Sequence, residues 1–408
     1  MLNWVNRFNI CCFLDNHHYH FSHHQYECLL GANSLQEKFL SSPHPFHSLQ
    51  QFADEENDWL FGHLAFELGD TSQTTTPDKW DGIGFPGGFF FKPETLIQLN
   101  EKEMLIGRVD AGHEKVWNEI SSQNISARQD FPAPQIQNRI SKEEYLSIIT
   151  SLQQHILRGD CYEINFCQEF FADHATIPPL QIYFALGEIS PNPFSAYYKL
   201  HDKYLLCASP ERFLKKEGMQ LFSQPIKGTG ARDLENELKD EQYRKALQTS
   251  EKDKSENVMV VDLVRNDLSR VCKEGTVKVE ELFGVYAFPQ VHQMISTVSG
   301  TMKEELSFTD ALEACFPMGS MTGAPKRSVL NLIGRYEKTK RGLFSGALGY
   351  IQPNQDFDFN VVIRSLLYNE SAQYLSYQAG SGITFYSDPE KEYEECLLKA
   401  AAIKKVLE

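Results

Sequence analysis

The sequence lacks any apolar run long enough to cross a membrane, and it is poor in basic residues. Its first apolar stretch, 8–14, is interrupted by Asn9 and followed by histidines. A spanning helix needs about 20 consecutive apolar residues, so we expect no membrane anchor and no signal peptide. The 39 Lys and Arg are outnumbered by 55 Asp and Glu, a formal net charge of −16. This argues against a nucleic-acid or anionic-membrane partner, because phosphate contacts need concentrated Lys and Arg.

Paired cysteines are also missing. The nine cysteines are an odd number, none forms a Cys-x-x-Cys pair, and the one adjacent pair is Cys11 and Cys12. Without the spacing of a disulfide framework or a zinc site, we expect free thiols and a reducing, cytosolic compartment. There is no internal repeat. The 408 residues, of which 41% are hydrophobic, are enough to bury a large core.

Strand-like and helix-like segments alternate along the chain, which predicts an α+β fold. The region 1–130 contains mainly strand-like segments and a polar loop at 70–81. A linker is predicted at 129–138, where Pro132 and Pro134 interrupt the pattern. The region 140–408 follows and carries the residues that indicate chemistry.

Several elements of this second region have clear boundaries. Ser141 precedes acidic residues and a run of apolar positions at helical spacing, which predicts a helix that ends near Gly159. A hairpin is predicted from 195–200 and 204–208, and one continuous strand over 361–368. The glycine-bearing loop 319–326 opens a helix, whose free N–H groups are suited to holding an anion. Asp388 begins the last helix.

Lys227 lies in an unusually constrained segment, between Pro225-Ile226 and Gly228. Burial disfavours an ammonium group, so a lysine held rigidly among apolar neighbours tends to lose its proton and act as a nucleophile or base. The alternative is a lysine at the end of a strand, with a packed stem and its ammonium group in water. The octapeptide 225–232 by itself leaves both interpretations open.

Three glutamates on two predicted helices form a candidate magnesium site. Glu392 and Glu395 share a helix face with Lys399, and Glu256 lies on another helix. Oxygen ligands that leave room for water suit Mg²⁺, which dehydrates reluctantly. Taken one at a time, each glutamate is better explained by a solvated helix face.

Seven segments, in order, resemble the motifs of the chorismate-utilising enzymes, a family that includes anthranilate synthase component I, aminodeoxychorismate synthase component I, isochorismate synthase and salicylate synthase. They are SPERF (209–213), PIKGT (225–229), SENVMVVDLVRNDL (255–268), VHQMISTVSG (291–300), GSMTGAPK (319–326), VVIRS (361–365) and AGSGITFYSDPEKEYEECLLKA (379–400). The resemblance implies two packed, largely antiparallel β-sheets flanked by helices, as in anthranilate synthase component I.

The resemblance also implies roles for individual residues. Anthranilate synthases have alanine at the position of Lys227, whereas aminodeoxychorismate synthases typically have a lysine that adds to chorismate at C2. Glu211 is then the general acid that protonates the C4 hydroxyl as it leaves, and ammonia adds at C4. His292 matches a pocket histidine that transfers a proton or orients the ring, with a buried structural histidine as the alternative.

The family pattern assigns further contacts to substrate and metal. Mg²⁺ is expected on Glu256 and Glu395, with Glu392 reached through water. The remaining residues expected to contact substrate are Thr229, Arg364, Lys399 and the backbone around Gly380, Ser381 and Gly382. Two positions depart from the pattern, because Ala231 replaces a common proline and Phe344 replaces a tyrosine that contacts substrate in anthranilate synthases.

The residue at position 163 and a missing sequence motif bear on which activity of the family is expected. Glu163 occupies the place of the lysine that activates water in isochorismate and salicylate synthases, which argues against both activities. The sequence has no Gly-x-Cys-x-Gly nucleophile motif of a glutamine amidotransferase, so ammonia is expected from solution or from a separate glutaminase partner. The alternatives are anthranilate synthase component I and a non-catalytic subunit that binds chorismate.

Overall fold

Antiparallel strands form the framework of the structure, a computed structural model that describes residues 1–19, 23–41, 43–69, 79–110, 112–123, 130–288 and 291–408. The loop predicted at 70–81 lies mostly outside these ranges, as does the first residue of the linker predicted at 129–138. Within them, every pairing between named strands is antiparallel. With helices packed outside the strands, this confirms the predicted α+β class.

The strands are numbered in chain order. They are β1 Ile10–Asp15, β2 Cys28–Phe39, β3 Leu60–Leu64, β4 Gly88–Leu99, β5 Met104–Arg108, β6 Gln137–Asn138, β7 Glu163–Ala172, β8 Phe194–Leu200, β9 Lys203–Ser209, β10 Arg212–Glu217, β11 Gln220–Gln224, β12 Ile226–Ala231, β13 Lys278–Ala287, β14 Val291–Thr301, β15 Gly323–Ala324, β16 Ala347–Ile351, β17 Phe357–Val361, β18 Ser365–Asn369 and β19 Tyr374–Ile383.

The helices are numbered in the same way. They are α1 Leu2–Val5, α2 Pro45–Glu56, α3 His113–Ser121, α4 Lys142–Leu157, α5 Pro179–Ile189, α6 Glu237–Thr249, α7 Glu251–Val271, α8 Phe308–Cys315, α9 Lys326–Tyr336 and α10 Pro389–Leu407, with short 3-10 turns at Phe66–Gly69 and Gly319–Met321. Among these described helices, none is long and apolar enough to span a membrane.

Strand β7 lies between two hydrophobic clusters and is buried along its whole length. Cys167 and Phe171 face one cluster, whereas Phe166 and Phe170 face the other, as the alternation of side chains along a strand requires. Both clusters draw residues from the regions 1–130 and 140–408. Strands of the two regions also pair directly, β1 with β8 and β3 with β16. The site described below is therefore built on a framework to which both regions contribute.

A buried arginine fastens β7 to the chain that follows α9. The Arg341 guanidinium donates to the backbone oxygens of Asn165 at 2.8 Å and Met321 at 2.6 Å. It also forms an ion pair with Glu337 at 2.6 Å. Glu337 in turn accepts from the backbone N–H of Cys167 at 3.0 Å. Since these charges are paired and hydrogen-bonded, the network fixes the first half of β7 in place.

Most predicted elements in the second region are confirmed. The Ser141 side chain caps α4 by accepting from the N–H of Glu144, a contact typically worth about 1 kcal/mol. Asp388 caps α10 in the same manner. The prediction of one strand over 361–368 is wrong, because β17 ends at Val361 and β18 begins at Ser365. The turn between them holds Arg364 at φ 50°, which an unbroken strand does not allow.

Candidate active site

An ion pair between Lys227 and Glu163 lies at the centre of the candidate site. Lys227 is on β12 and Glu163 is the first residue of β7, and Nζ lies 3.0 Å from Oε1. The Lys227 side chain is 14% exposed and that of Glu163 only 3%. Among the described residues, the second oxygen of Glu163, Oε2, is buried without a hydrogen-bond partner. The ion pair thus leaves one oxygen of Glu163 without a hydrogen bond, beside the ammonium group of Lys227.

The charge of Lys227 depends on the carboxylates around it. Burial lowers the pKa of Lys227, but the nearby carboxylates of Glu163 and Glu256 outweigh it, so the pKa is raised. In the protein without substrate these charges favour the ammonium form, one of the two interpretations left open by the sequence. The two carboxylates come from other parts of the chain, so the sequence around Lys227 indicates only its burial. Nucleophilic attack by Lys227 requires a group that removes its proton.

Two glycines make room for the pair. β12 has an irregular register with β14 between Ile226 and Thr229, and Gly228 in that irregularity has φ 95°. At Gly382 on β19, a Cβ would lie 2.6 Å from both Glu163 Oε1 and Lys227 Nζ. A side chain at Gly382 would thus displace the ion pair. The backbone of Lys227 is also held from α7, because the Asn257 amide donates to its carbonyl at 3.4 Å.

Glu211 is a buried carboxyl group that faces several positive charges. It follows β9, is 4% exposed, and its backbone N–H donates to Ser209 Oγ at 3.2 Å. Burial raises the pKa of Glu211 to about 7, while the Ser320 side chain and the charges of Lys227 and Arg364 act in the opposite direction. A carboxyl group with this pKa is half protonated near neutral pH. It meets the requirement of the general acid that was predicted at this position.

His292 is buried and is held by an acidic partner. It lies on β14, is 1% exposed, and its Nε2 is 3.0 Å from Asp240 Oδ1. The Arg232 guanidinium binds both oxygens of Asp240, at 3.2 and 3.0 Å, and holds the pKa of that carboxyl below its ordinary value. Within the part of the chain that the structure describes, Nδ1 of His292 has no hydrogen-bond partner. The structure leaves its predicted role in the reaction open.

Arg364 is placed at the site by its position in the turn between β17 and β18. Burial lowers the pKa of Arg364 to about 10, and Glu211 acts against this shift. With its amide oxygen turned towards Arg364, Gln293 accepts from Nη1 at 3.2 Å and from Nη2 at 3.0 Å. The guanidinium remains charged at neutral pH. It therefore suits the predicted role of binding a carboxylate.

The glycine segment that is expected to contact substrate is part of β19. Gly380, Ser381 and Gly382 pair with β7 on one side, and the pairing of β18 with β19 ends at Tyr377. The Gly380 carbonyl accepts from Lys399 Nζ at 2.9 Å, which places this residue's polar groups on the unpaired edge. Gly382, two residues on, faces the same edge. By this alternation the backbone N–H groups of Gly380 and Gly382 point to the unpaired edge.

Two of the three predicted metal ligands, Glu256 and Glu392, lie near the same lysine. Lys252 Nζ is 3.7 Å from Glu256 Oε1 and 4.0 Å from Glu392 Oε1. Glu395 pairs instead with Lys399 at 2.8 Å. Within the described ranges, no three His, Cys, Asp or Glu side chains are close enough to form a metal centre. Glu256 and Glu392 do converge on one positive charge, so this pair of carboxylates fits a cation.

The structure gives the remaining predicted residues other surroundings. Thr229 is exposed on β12, opposite Gln293 of β14. The Ser381 hydroxyl is buried 3.4 Å from Tyr145 Oη. The backbone of Ser381 pairs with β7. In the loop 319–326, Lys326 donates to Asp267 at 2.7 Å, which reduces the positive charge available to the anion predicted there. Phe344 is 2% exposed and packs in the core.

Two residues that the sequence did not indicate as site residues bear on the chemistry. Glu163 was considered only as the replacement for a lysine, although an acidic residue at the start of an apolar strand is itself a signal for a partner charge. Asp240, the partner of His292, lies in a polar helical segment whose pattern is typical of a solvated surface. No local pattern distinguishes it.

Comparison with known proteins places this arrangement in a family. The family described as "chorismate binding enzyme" matches residues 9–405. An anthranilate synthase component I-like protein of Synechocystis is 32% identical over 355 residues, 86% of this chain and 72% of the relative. Aminodeoxychorismate synthase component 1 of Escherichia coli is 36% identical over 305 residues, 74% of this chain and 66% of the relative.

Other relatives are longer than this chain. The probable chloroplastic aminodeoxychorismate synthase of Oryza sativa is 41% identical over 272 residues, which is 66% of this chain but only 30% of the relative. The solved anthranilate synthase component I of Streptococcus pneumoniae has the same fold, with a TM-score of 0.81, 24% identity and coverage of 95% of this chain and 93% of its own. The family match over residues 9–405 and the Synechocystis relative show that the chain belongs to the chorismate-binding enzyme family.

Proposed function

We propose that the chain aminates chorismate at C4 with ammonia and yields 4-amino-4-deoxychorismate, a precursor of 4-aminobenzoate and folate. The observation that carries this proposal is the placement of Lys227, a buried amine in direct contact with a carboxylate and electrostatically coupled to the buried acid Glu211. The names of the Escherichia coli and rice relatives support it.

In this reaction Lys227 is the nucleophile and Glu211 is the general acid. The Lys227 amine bonds to C2, the two ring double bonds shift by one position, and the C4–O bond breaks as Glu211 protonates the leaving oxygen. Ammonia then bonds to C4, the double bonds shift back, and the C2–N bond breaks. Glu211 recovers its proton from the nitrogen on C4, so the net change is the exchange of water for ammonia.

The substrate's carboxylates meet positive groups around this centre. Arg364, Lys399 and the N–H groups of Gly380 and Gly382 are assigned to binding and orientation, and Thr229 to a contact at the exposed side. Glu256 and Glu395, together with Glu392, would hold Mg²⁺, and the ion would supply positive charge to balance a substrate carboxylate. His292 is assigned to orienting the substrate ring, because the hydrogen bond between its Nε2 and Asp240 holds the imidazole in place.

Ammonia is assigned to a separate glutaminase subunit. The component 1 name of the Escherichia coli relative implies a partner component, and released ammonia is used most efficiently when its source is bound nearby. All nine cysteines are unpaired in the structure. Free thiols are typical of a reducing compartment, which supports a cytoplasmic reaction.

The test is product analysis by chromatography and mass spectrometry after incubation of the purified chain with chorismate, Mg²⁺ and ammonium. The expected product is 4-amino-4-deoxychorismate. Anthranilate would instead support the anthranilate synthase activity, which the name of the Synechocystis relative favours. Unchanged chorismate, bound but not consumed with ammonium or with glutamine and a glutaminase partner, would support a non-catalytic subunit.

The magnesium assignment predicts a specific effect of Glu256→Gln. Loss of one anionic ligand should raise the Mg²⁺ concentration needed for half-maximal activity by about tenfold or more, with most activity recovered at saturating Mg²⁺. The measurement is an activity titration with Mg²⁺ after removal of metal with EDTA. The matched control is Glu251→Gln, because Glu251 lies on the same helix with a side chain 90% exposed. Equal Mg²⁺ dependence in both variants would contradict the assignment.

A further inference from the structure

The proposed reaction does not yet assign the group that removes a proton from Lys227. The nucleophile must be a neutral amine, whereas nearby carboxylates raise the pKa of Lys227 against the effect of its burial. Some group must therefore take a proton from Nζ before the bond to C2 forms. Water is a poor candidate, because the side chain is only 14% exposed.

Glu163 is the one carboxylate that the described residues place within ion-pair distance of Nζ. The two atoms are 3.0 Å apart, a hydrogen-bond distance, so a proton passes between them without an intervening water. Gly382 keeps this contact open, since a Cβ there would lie 2.6 Å from both atoms. Glu163 is anchored at the start of β7, whose first half is held by the Arg341 network.

Within the described structure, the Glu163 side chain makes its hydrogen bond to Lys227 and has no other partner. Its Oε2 is buried and, within the described structure, has no hydrogen-bond donor to stabilise a full negative charge. Proton transfer within a buried ion pair replaces two charges by two neutral groups, which low solvent exposure favours. Glu256 and Glu395, which belong to the proposed metal site, also act on Lys227, as does Glu211.

We infer that Glu163 is a catalytic residue, the general base that removes a proton from Lys227 and returns it when the lysine leaves C2. The inference rests on the proposed function. In the first step the N–H bond of Lys227 breaks, Glu163 gains the proton, and the freed electron pair forms the N–C2 bond. In the second step the electron pair of the C2–N bond returns to nitrogen, and Glu163 transfers the proton back. Both residues end each cycle in their starting states.

The test compares Glu163→Gln with the unchanged protein. Glutamine has nearly the same shape but does not accept the proton, so kcat at pH 7 should fall about 100-fold, with KM for chorismate changed by less than about threefold. The deficit should narrow as the pH rises, because Lys227 without its carboxylate partner loses its proton more readily. Glu163→Asp, which keeps a carboxylate on a shorter side chain, should have intermediate kcat.

A second measurement separates chemistry from structure. Without chorismate, acetylation of Lys227 by acetic anhydride is followed by peptide mass spectrometry. Glu163→Gln should be acetylated faster at pH 7 than the unchanged protein, because its lysine has lost the carboxylate that favours the ammonium form. Faster acetylation together with slower turnover identifies a general base. Faster acetylation with unchanged turnover would overturn the inference and leave an ion pair with a structural role only.

The control is Glu169→Gln. Glu169 lies on the same face of β7, is 4% exposed and pairs with Arg139 at 2.8 Å, away from Lys227. This variant should lose stability without a change in the pH dependence of kcat. If the unchanged protein makes anthranilate or no product, the proposed function and this inference both fail. If it makes 4-amino-4-deoxychorismate and Glu163→Gln has the same kcat, only the role of Glu163 fails.

Discussion

Replacement of Lys227 by alanine is expected to lower the formation of 4-amino-4-deoxychorismate by about 10³-fold or more. The reason is that the covalent route loses its nucleophile, and removal of a nucleophile typically leaves only the effects of binding and charge stabilisation. The measurement is kcat with chorismate, Mg²⁺ and ammonium. Mass spectrometry of the unchanged protein, quenched during turnover, should in addition find an adduct on the peptide that contains Lys227.

The alanine variant also leaves Glu163 buried without its counter-ion, which costs stability. Lys227→Arg is the variant that separates the two effects. Arginine keeps a positive charge opposite Glu163, but its guanidinium is not deprotonated in proteins and is a poor nucleophile. The arginine variant should fold with a Tm near that of the unchanged protein and still be inactive. Activity above about one tenth of normal in either variant would rule out covalent catalysis by Lys227.

The second large effect is expected for Glu211→Gln, with a loss of about 10³-fold in kcat/KM at pH 6.5. General acids typically contribute about 10²–10⁴-fold, and here the leaving group is a hydroxyl that departs poorly without a proton. The matched control is Glu217→Gln, at the far end of the adjacent strand β10, where the side chain is 60% exposed. It should be fully active.

The pH dependence follows from the same residue. Burial raises the pKa of Glu211 to about 7, so the protonated form that can act as an acid decreases above that pH. In the unchanged protein kcat/KM for chorismate should therefore fall about tenfold per unit on the alkaline side, and this limb should be absent in Glu211→Gln. The free ammonia concentration must be held constant across the series by adjustment of total ammonium. A limb that persists in the variant would assign the titration to another group.

Stability should respond to the same titration with a defined sign. The folded-state pKa of Glu211 is raised above its ordinary value of 4.5 by burial, so the folded protein binds this proton more tightly than the unfolded chain. Its contribution to the free energy of unfolding is complete below pH 4.5 and is lost as the pH rises through about 7. Denaturant unfolding of the unchanged protein and of Glu211→Gln, compared between pH 4.5 and 7, measures this difference.

Local sequence patterns predicted the elements that local interactions determine. The helix α4 follows from its Ser141 cap and apolar spacing, and α10 from the Asp388 cap, because these signals lie within a few residues of the boundary. The turn at Arg364 was missed. Apolar residues continue on both sides of it, and the break is imposed by the hydrogen bonds of Val362 with Ser345 and Gly346, which no neighbouring residue indicates.

In the site, too, local patterns identified single residues but not the contacts between residues far apart in the sequence. The motifs identified Lys227, Glu211 and Arg364 as site residues, and the structure gives each a charged environment consistent with that. The ion pair with Glu163 joins residues 64 positions apart, so its existence depends on the pairing of strands and not on any spacing. Burial could be estimated from the sequence, but the charges that decide the protonation of Lys227 could not.

Helix α10 carries Glu392, Glu395 and Lys399, three of the residues assigned to metal and substrate, and it follows every strand in the sequence. During synthesis at about 5–20 residues per second, the strands leave the ribosome before this helix does. A nascent chain therefore has Lys227 and Glu163 before it has the residues of α10, and on the proposed assignment neither chorismate nor Mg²⁺ would assist its early folding through these contacts. The strands would then have to pair without stabilisation by a ligand bound at α10.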